Sequence, residues 1–521
     1  MAKNRKSKTL DQEIEQEYRQ VFDKREKPKI LLCTPEITEL PQGMGNAANI
    51  ITAKGGGLGD ITASLIKYLN DKNEYELHIV LPKYDKSIQK IADLHSQQID
   101  RMAVVLAGRG IHLVNDSAFS YINTPYEHSS IHTPLRRSLV FQRYIINNLL
   151  DYLQPDVVHC NDWMTGLIPA AARSKGIKSL FTLHNIFTEK QSLKDIELSG
   201  IKPMDFTDWL YFEEYPDLEN NWQYHFENNQ VDFTASAILA SDCFNTVSEN
   251  FLKELVAGEF PKVVPQSVFE MIKMKYEENR AYGILNAPND NVNAEFMSDI
   301  INFTREDIEE KKPENKKLFQ EKMNLPLEPN VPLFFWPSRL YYQKAPDVLV
   351  DNMEYFMKKY DMQVAVVASG EKKIEKKLRK LMREYNRVSF IPFVPQLSTL
   401  GKAAADFILM PSRYEPSGLP QMEVLRLGTL PVVRATGGLK DSIKPLNLKE
   451  NTGNGFVFEI PDRTGLEYGI RRAVDFYKKE DDVKYPTLKR VMKEGREKFN
   501  MRNTANKYMQ IYDKLIAEKT N

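Results

Sequence analysis

Arg339 and Lys344 stand five positions apart in SRLYYQKAPDVL, between an apolar run and a helical one. Two cations beside a helix N-terminus can neutralise a diphosphate, and each charge-assisted contact contributes roughly 1.5–3 kcal/mol. A solvated cationic helix start fits the same pattern. Further on, PSRYEPSGLPQMEVLRLGTLPVVRATGGLKDSI (411–443) brings two acids eight positions apart, Glu415 and Glu423. Glu415 lies just past an apolar run, Gly418 opens a helix, and Glu423 falls about one turn into it. Acids so placed can grip a polyhydroxylated ligand at two points, such as a sugar and a ribose. Gly437 and Gly438 precede another short helix. No Asp-x-Asp clamp or His/Cys cluster accompanies these groups, so the expectation is chemistry without a metal or cofactor.

In the first half, AKGGGLGDITASL (53–65) sets Lys54, Gly56, Gly57 and Asp60 between an apolar run and a helical pattern. Glycine permits positive φ and close approach of a ligand, so such a turn suits a phosphate or sugar. It serves equally to pack a helix tightly on a sheet. Asp162 follows the run DVVHC, and His184 ends SLFTLH.

The elements that carry these residues alternate. KILLCT (29–34), ELHIVLP (76–82), DVVHC (156–160), SLFTLH (179–184) and CFNTVS (243–248) read as strands, with helical patterns between several of them. A second set follows: PLFFWPS (332–338), QVAVVAS (363–369), VSFIPF (388–393), DFILMP (406–411) and LPVVR (430–434). Parallel α/β architecture with two doubly wound domains is the simplest account. Ligands of such sheets bind beyond the carboxyl ends of the strands, where all of the residues above fall.

At 521 residues the chain is too long for one ordinary core. Its 42% hydrophobic and 27% charged residues are a globular balance, and 71 basic against 71 acidic residues call for neither nucleic acid nor a membrane surface as partner. Cys33, Cys160 and Cys243 lie in apolar runs and read as small buried hydrophobes in a reducing compartment. The first residues are charged and carry no apolar stretch of the kind a secretory signal needs, so the expected location is cytoplasmic.

Seven segments, in order, carry a resemblance: KGGGLGD (54–60), HCNDWMTGLIP (159–169), TLHN (182–185), NTVSENF (245–251), GILN (283–286), SRLYYQK (338–344) and the long segment from 411. Together they resemble the bacterial glycogen synthase and plant starch synthase family over roughly residues 28–515. The resemblance implies a GT-B fold, two Rossmann-like α/β domains facing a central cleft. It implies transfer of glucose from ADP-glucose to the non-reducing end of an α-1,4-glucan, with retention at the anomeric carbon and no obligatory metal. By the same resemblance Lys54, Gly56, Gly57 and Asp60 approach the donor, and Asp162, His184 and Asn286 line the glucosyl and acceptor side. Arg339 and Lys344 match the diphosphate pair, and Glu415 the acid beside the transferred glucose. Gly418 and Leu419 offer amides to the phosphates, and Gly437 and Gly438 form a loop near the sugar. The implied organisation is a charged extension (1–27), an acceptor-side domain (28–290), a nucleotide-sugar domain (291–500) and a C-terminal helix (501–521) packing back on the first domain.

Departures from the family pattern cluster near the chemistry. The stretch ITELPQGMGNAANIITA before Lys54 is some dozen residues longer than usual, at the acceptor mouth. Asn161 replaces a frequent histidine, IFTEK replaces an aromatic-Gln-Gly turn, and Ala287 and Pro288 stiffen a loop that normally bears glycine. Ser417 replaces a cysteine, Pro420 a threonine, and Glu423 a position often aromatic in starch synthases. These leave room for a UDP-sugar donor, another acceptor, or a non-catalytic glucan-binding or priming partner of the same fold.

Overall fold

The structure, a computed structural model, describes residues 27–40, 57–84, 108, 110–120, 122, 126, 133–216 and 220–520. The chain divides into two compact units that are discontinuous in sequence. The first comprises residues 1–245, 261–281 and 508–521, and the second residues 246–260 and 282–507.

One sheet contains β1 (Lys29–Cys33), β2 (Glu76–Pro82), β3 (Ile111–Val114), β4 (Val157–Asn161), β5 (Lys178–Leu183), β6 (Cys243–Thr246) and β7 (Ala281–Gly283), in the order β3-β2-β1-β4-β5-β6-β7. The pairs joining β3 through β5 are parallel. β1, β4 and most of β5 are buried on both faces, which is why they read as continuous apolar runs rather than alternating ones. The helix Gly57–Lys72 buries Leu58, Ile61, Leu65, Ile66 and Leu69 on one stripe, with Asp60 in its first turn and Lys72 in its last, matching the helix dipole. All three cysteines are buried and free.

The second sheet contains β8 (Leu333–Leu340), β9 (Gln363–Gly370), β10 (Val388–Ile391), β11 (Phe407–Met410), β12 (Leu430–Arg434) and β13 (Phe456–Phe458), all parallel, in the order β10-β9-β8-β11-β12-β13. Phe407 lies between Phe334 (5.0 Å between ring centres) and Phe456 (5.7 Å), so aromatic packing ties three strands together.

In both sheets the strand order reverses at one place, between β1 and β4 and between β8 and β11. These are the switch points at which doubly wound sheets open a crevice for ligands. Among the described residues, three strands of these two sheets lay outside the sequence reading, β3, β7 and β13, as did the short antiparallel pair Lys190–Ser192 and Gln230–Asp232. Among the described residues no helix is long and apolar enough to cross a membrane.

Candidate active site

At the first switch point, β4 ends on Asn161 and the next residue, Asp162, is buried with φ +55° and ψ 175°. That backbone region is nearly reserved for glycine, and a non-glycine residue held there costs on the order of 1–3 kcal/mol. The Asp162 carboxylate accepts the backbone N–H groups of His184 (2.7 Å) and Asn185 (3.3 Å), so it fixes the turn after β5. The His184 Nε2 meets Asn161 Oδ1 at 2.9 Å, while Asn161 Nδ2 donates to the Cys33 carbonyl at 3.1 Å. The asparagine that departs from the family pattern is therefore a bridge from β1 to the imidazole. Nearby, Thr38 donates its hydroxyl to Asp60 at 2.7 Å. Gly57 is the exposed first residue of its helix. Lys54 and Gly56, and most of the long stretch before them, lie outside the described residues.

Burial sets the proton chemistry of this unit. It pushes His112, His159 and His184 down to about 3, with charge repulsion from His78 adding at His112 and from His184 at His159. Burial pushes Asp162 up to about 7 against the two amides that it accepts. The histidines take up protons only on unfolding, so acid below pH 6.5 destabilises the fold through them. Asp162 acts oppositely, since the folded state keeps a proton that the unfolded chain loses above about pH 4. Near pH 5 the unfolded chain holds a net two extra protons from these four groups, a slope of about 2–3 kcal/mol per pH unit with stability rising toward pH 6.5. Asp162→Asn is expected to steepen that slope by about half, read from urea unfolding between pH 4.5 and 6.5. An unchanged or shallower slope would contradict the assignment.

At the second switch point, β8 delivers Arg339, exposed near its carboxyl end, and a short 3-10 turn, Tyr342–Lys344, delivers Lys344. Lys344 Nζ donates to Glu415 Oε2 at 2.5 Å, and the Ser412 hydroxyl donates to the same oxygen at 2.9 Å. Glu415 is buried just beyond β11. Arg339 and Lys344 line a cavity of about 810 Å³ with Lys372, Arg379, Lys402 and Pro420. Glu375 lines it too, and Lys344, Lys372 and Lys402 are paired with Glu415, Glu375 and Glu423, so Arg339 and Arg379 are the lining cations outside those pairs, and the opening suits an anionic ligand.

The glycines of this unit are placed by the backbone. Gly418 has φ +68°, so it precedes the helix rather than opening it, and the helix Pro420–Leu425 starts two residues later. Pro420 occupies its first turn, where a missing N–H forfeits no intrahelical bond. Gly437 and Gly438 are the first residues of the helix Gly437–Ser442, not residues ahead of it. A Cβ on Gly437 would fall 2.0 Å from the Glu415 carbonyl oxygen, and one on Gly438 would fall 2.0 Å from that of Ser417. The Gly438 N–H donates to the Glu415 carbonyl at 3.0 Å. Both glycines are thus required where one loop lies on another.

Glu423 lies one turn into its helix, and its Oε2 accepts from Lys402 at 2.5 Å. Asn286 is buried, and its Oδ1 has no partner among the described residues. The loop after it is held by Arg426, which donates to the carbonyls of Asn289 (2.9 Å) and Pro288 (3.4 Å). Sequence reasoning missed Gln421, whose Nε2 donates to the carbonyls of Ser417 (3.1 Å) and Gly418 (2.9 Å) and to the Ser442 hydroxyl (3.0 Å). It also missed Glu254, described below. A three-residue offset from a glycine turn was the only local signal for Gln421, and Glu254 had none.

Two parallel α/β units with polar residues gathered at their switch points, matched by two glycosyltransferase family models, define the class as a glycosyltransferase of the GT-B fold. Residues 29–265 match the family model for the starch synthase catalytic domain, and residues 317–490 match that for glycosyl transferases group 1. A glycogen synthase from Thermosipho africanus is 30% identical over 90% of this chain and 97% of its own length. One from Thermotoga maritima is 30% identical over 89% and 97%. Among solved structures, the catalytic domain of starch synthase IV from Arabidopsis thaliana bound to ADP and acarbose superposes with a TM-score of 0.74 at 21% identity, covering 94% of this chain and all of that one. The chain belongs to the glycogen synthase and starch synthase family of glycosyltransferases.

Proposed function

We propose that this enzyme transfers glucose from ADP-glucose to the non-reducing end of an α-1,4-glucan with retention of configuration. The observation that carries the reading is the Lys344–Glu415 pair at 2.5 Å beside Arg339, at the switch point of the second sheet. Arg339 and Lys344 neutralise the departing diphosphate, and Glu415 holds Lys344 in place and faces the transferred sugar. Stabilising the leaving group on the face from which the acceptor hydroxyl approaches gives retention. The neutral His184 and the buried Asp162 and Asn286 serve the glucosyl and acceptor side as hydrogen-bonding groups. ADP as the nucleotide is supported by the starch synthase relative described as bound to ADP.

Incorporation of labelled glucose into glycogen, with ADP-glucose and UDP-glucose in parallel, tests the proposal. Transfer chiefly from ADP-glucose is expected; a preference for UDP-glucose would overturn the donor assignment. Arg339 has no part in the Lys344–Glu415 pair, so its loss isolates the anion contact. Arg339→Ala is expected to weaken ADP binding by about 10- to 100-fold, one charge-assisted contact, measured by titration calorimetry.

A further inference from the structure

The residues that hold Glu415 are themselves held by a carboxylate far from them in sequence. Glu254 lies on the helix Glu249–Val256, which belongs to the second unit although the chain on either side of residues 246–260 belongs to the first. Glu254 is buried at 8% exposure, and both of its oxygens accept the Gly437 N–H at 2.9 Å. Oε2 also accepts the Thr436 hydroxyl at 3.0 Å. Gly437 could not have taken a side chain there, and the next residue donates to the Glu415 carbonyl. The same helix makes a second grip, since Asn250 donates its backbone N–H to Asp441 at 3.1 Å and its side-chain amide to the other Asp441 oxygen. Phe251 packs at a tilt against Phe260 (6.2 Å between ring centres), and Phe260 likewise against Tyr414 (5.7 Å), the residue before Glu415.

A buried carboxylate is costly unless it is satisfied, and a carboxylate that meets one amide and one hydroxyl replaces hydration with fixed donors. A hydrophobic residue of similar size would fill the space without that cost. What the carboxylate adds is direction: it orients the first amide of the helix Gly437–Ser442, and the second amide of that helix then reaches Glu415.

We infer that Glu254 is a positioning residue for the transfer reaction, holding the Thr436–Gly438 turn so that the Glu415 carboxylate stays on Lys344. This rests on the reading above that Glu415 works at the transferred sugar.

The test compares Glu254→Ala and Glu254→Gln with wild type, using Glu415→Ala as reference and Val491→Ala, a core variant of the same unit, as a stability control. Glu254→Ala is expected to lower kcat by at least tenfold while the Kd for ADP stays within about threefold. Glu254→Gln keeps an oxygen that can accept the Gly437 amide, so it should recover kcat to within about threefold of wild type. Val491→Ala should lower Tm without lowering kcat below half. If Glu254→Ala does not fold, Glu254→Gln and Thr436→Val are compared instead, with a lower kcat expected in Thr436→Val. Wild-type-like kcat in Glu254→Ala, or equal losses in the Ala and Gln variants, would overturn the positioning role even where Glu415→Ala is inactive. Full turnover in Glu415→Ala would instead overturn the reading on which it rests.

Discussion

Glu415→Ala is expected to lower kcat for glucose transfer by at least 10²–10³ while leaving the chain folded. Glu415 is 4% exposed and its carboxylate accepts from both Lys344 (2.5 Å) and Ser412 (2.9 Å), so its removal frees the ammonium that the proposed function sets against the diphosphate. Loss of a single group aimed at developing charge commonly costs that much in turnover. The fold should survive because Lys344 borders the 810 Å³ cavity, where water can solvate it once its partner is gone. The stability cost is then about 1–2 kcal/mol rather than that of a stranded buried charge. Labelled-glucose transfer and thermal unfolding on the same preparation read both quantities. Turnover near wild type would remove Glu415 from the site.

Gly437→Ala and Gly438→Ala carry the second large expected effect, on stability and turnover together. At each position the added Cβ would fall 2.0 Å from a carbonyl oxygen, Glu415 for the first and Ser417 for the second, and backbone cannot swing aside as a flexible side chain can. Gly437 also has φ +45°, where a Cβ costs about 1–2 kcal/mol. With overpacking at about 1–3 kcal/mol, Gly437→Ala is expected to cost roughly 2–5 kcal/mol and lower kcat by displacing the Glu415 loop. Gly176→Ala is the matched comparison: φ is +70°, but no atom lies within 4 Å of the new carbon. It should show the strain alone, about 1–2 kcal/mol, with unchanged turnover. Urea unfolding and initial rates distinguish the two, and equal losses at Gly176 and Gly437 would reject the close-approach account.

What the sequence made legible, and what it did not, follows from range. β2 and β12 have the bounds that the apolar runs ELHIVLP and LPVVR suggest, because a buried parallel strand writes its burial into consecutive residues. β13 is three residues, Phe456–Phe458, too short to show any period. β3 is four, IHLV, and its histidine breaks the run although that ring is buried against His78. The polar groups at strand ends were legible as positions, since Asp162, His184 and Glu415 each follow a strand and Arg339 is the next-to-last residue of β8. Their partners were not, because Glu254 lies more than 180 positions before the glycine that it holds. Pro420 and Asn161 looked like losses when set against a family pattern. In the fold one sits where its missing N–H is not needed, and the other bridges two elements with its amide.

The last residues of the chain bear on how the protein is made. Tyr512 donates or accepts at His159 Nδ1 (2.7 Å), Tyr508 accepts from Asn245 (3.3 Å), and Tyr75 donates to Asp513 (2.7 Å), all within the first unit. A ribosome delivers residues 28–245 long before residues 508–521 exist, so β4 and β6 emerge with His159 and Asn245 lacking these phenolic partners. The N-terminal unit therefore gains these contacts only once residues 508–521 have been made, so the last step in packing this unit joins segments from opposite ends of its sequence.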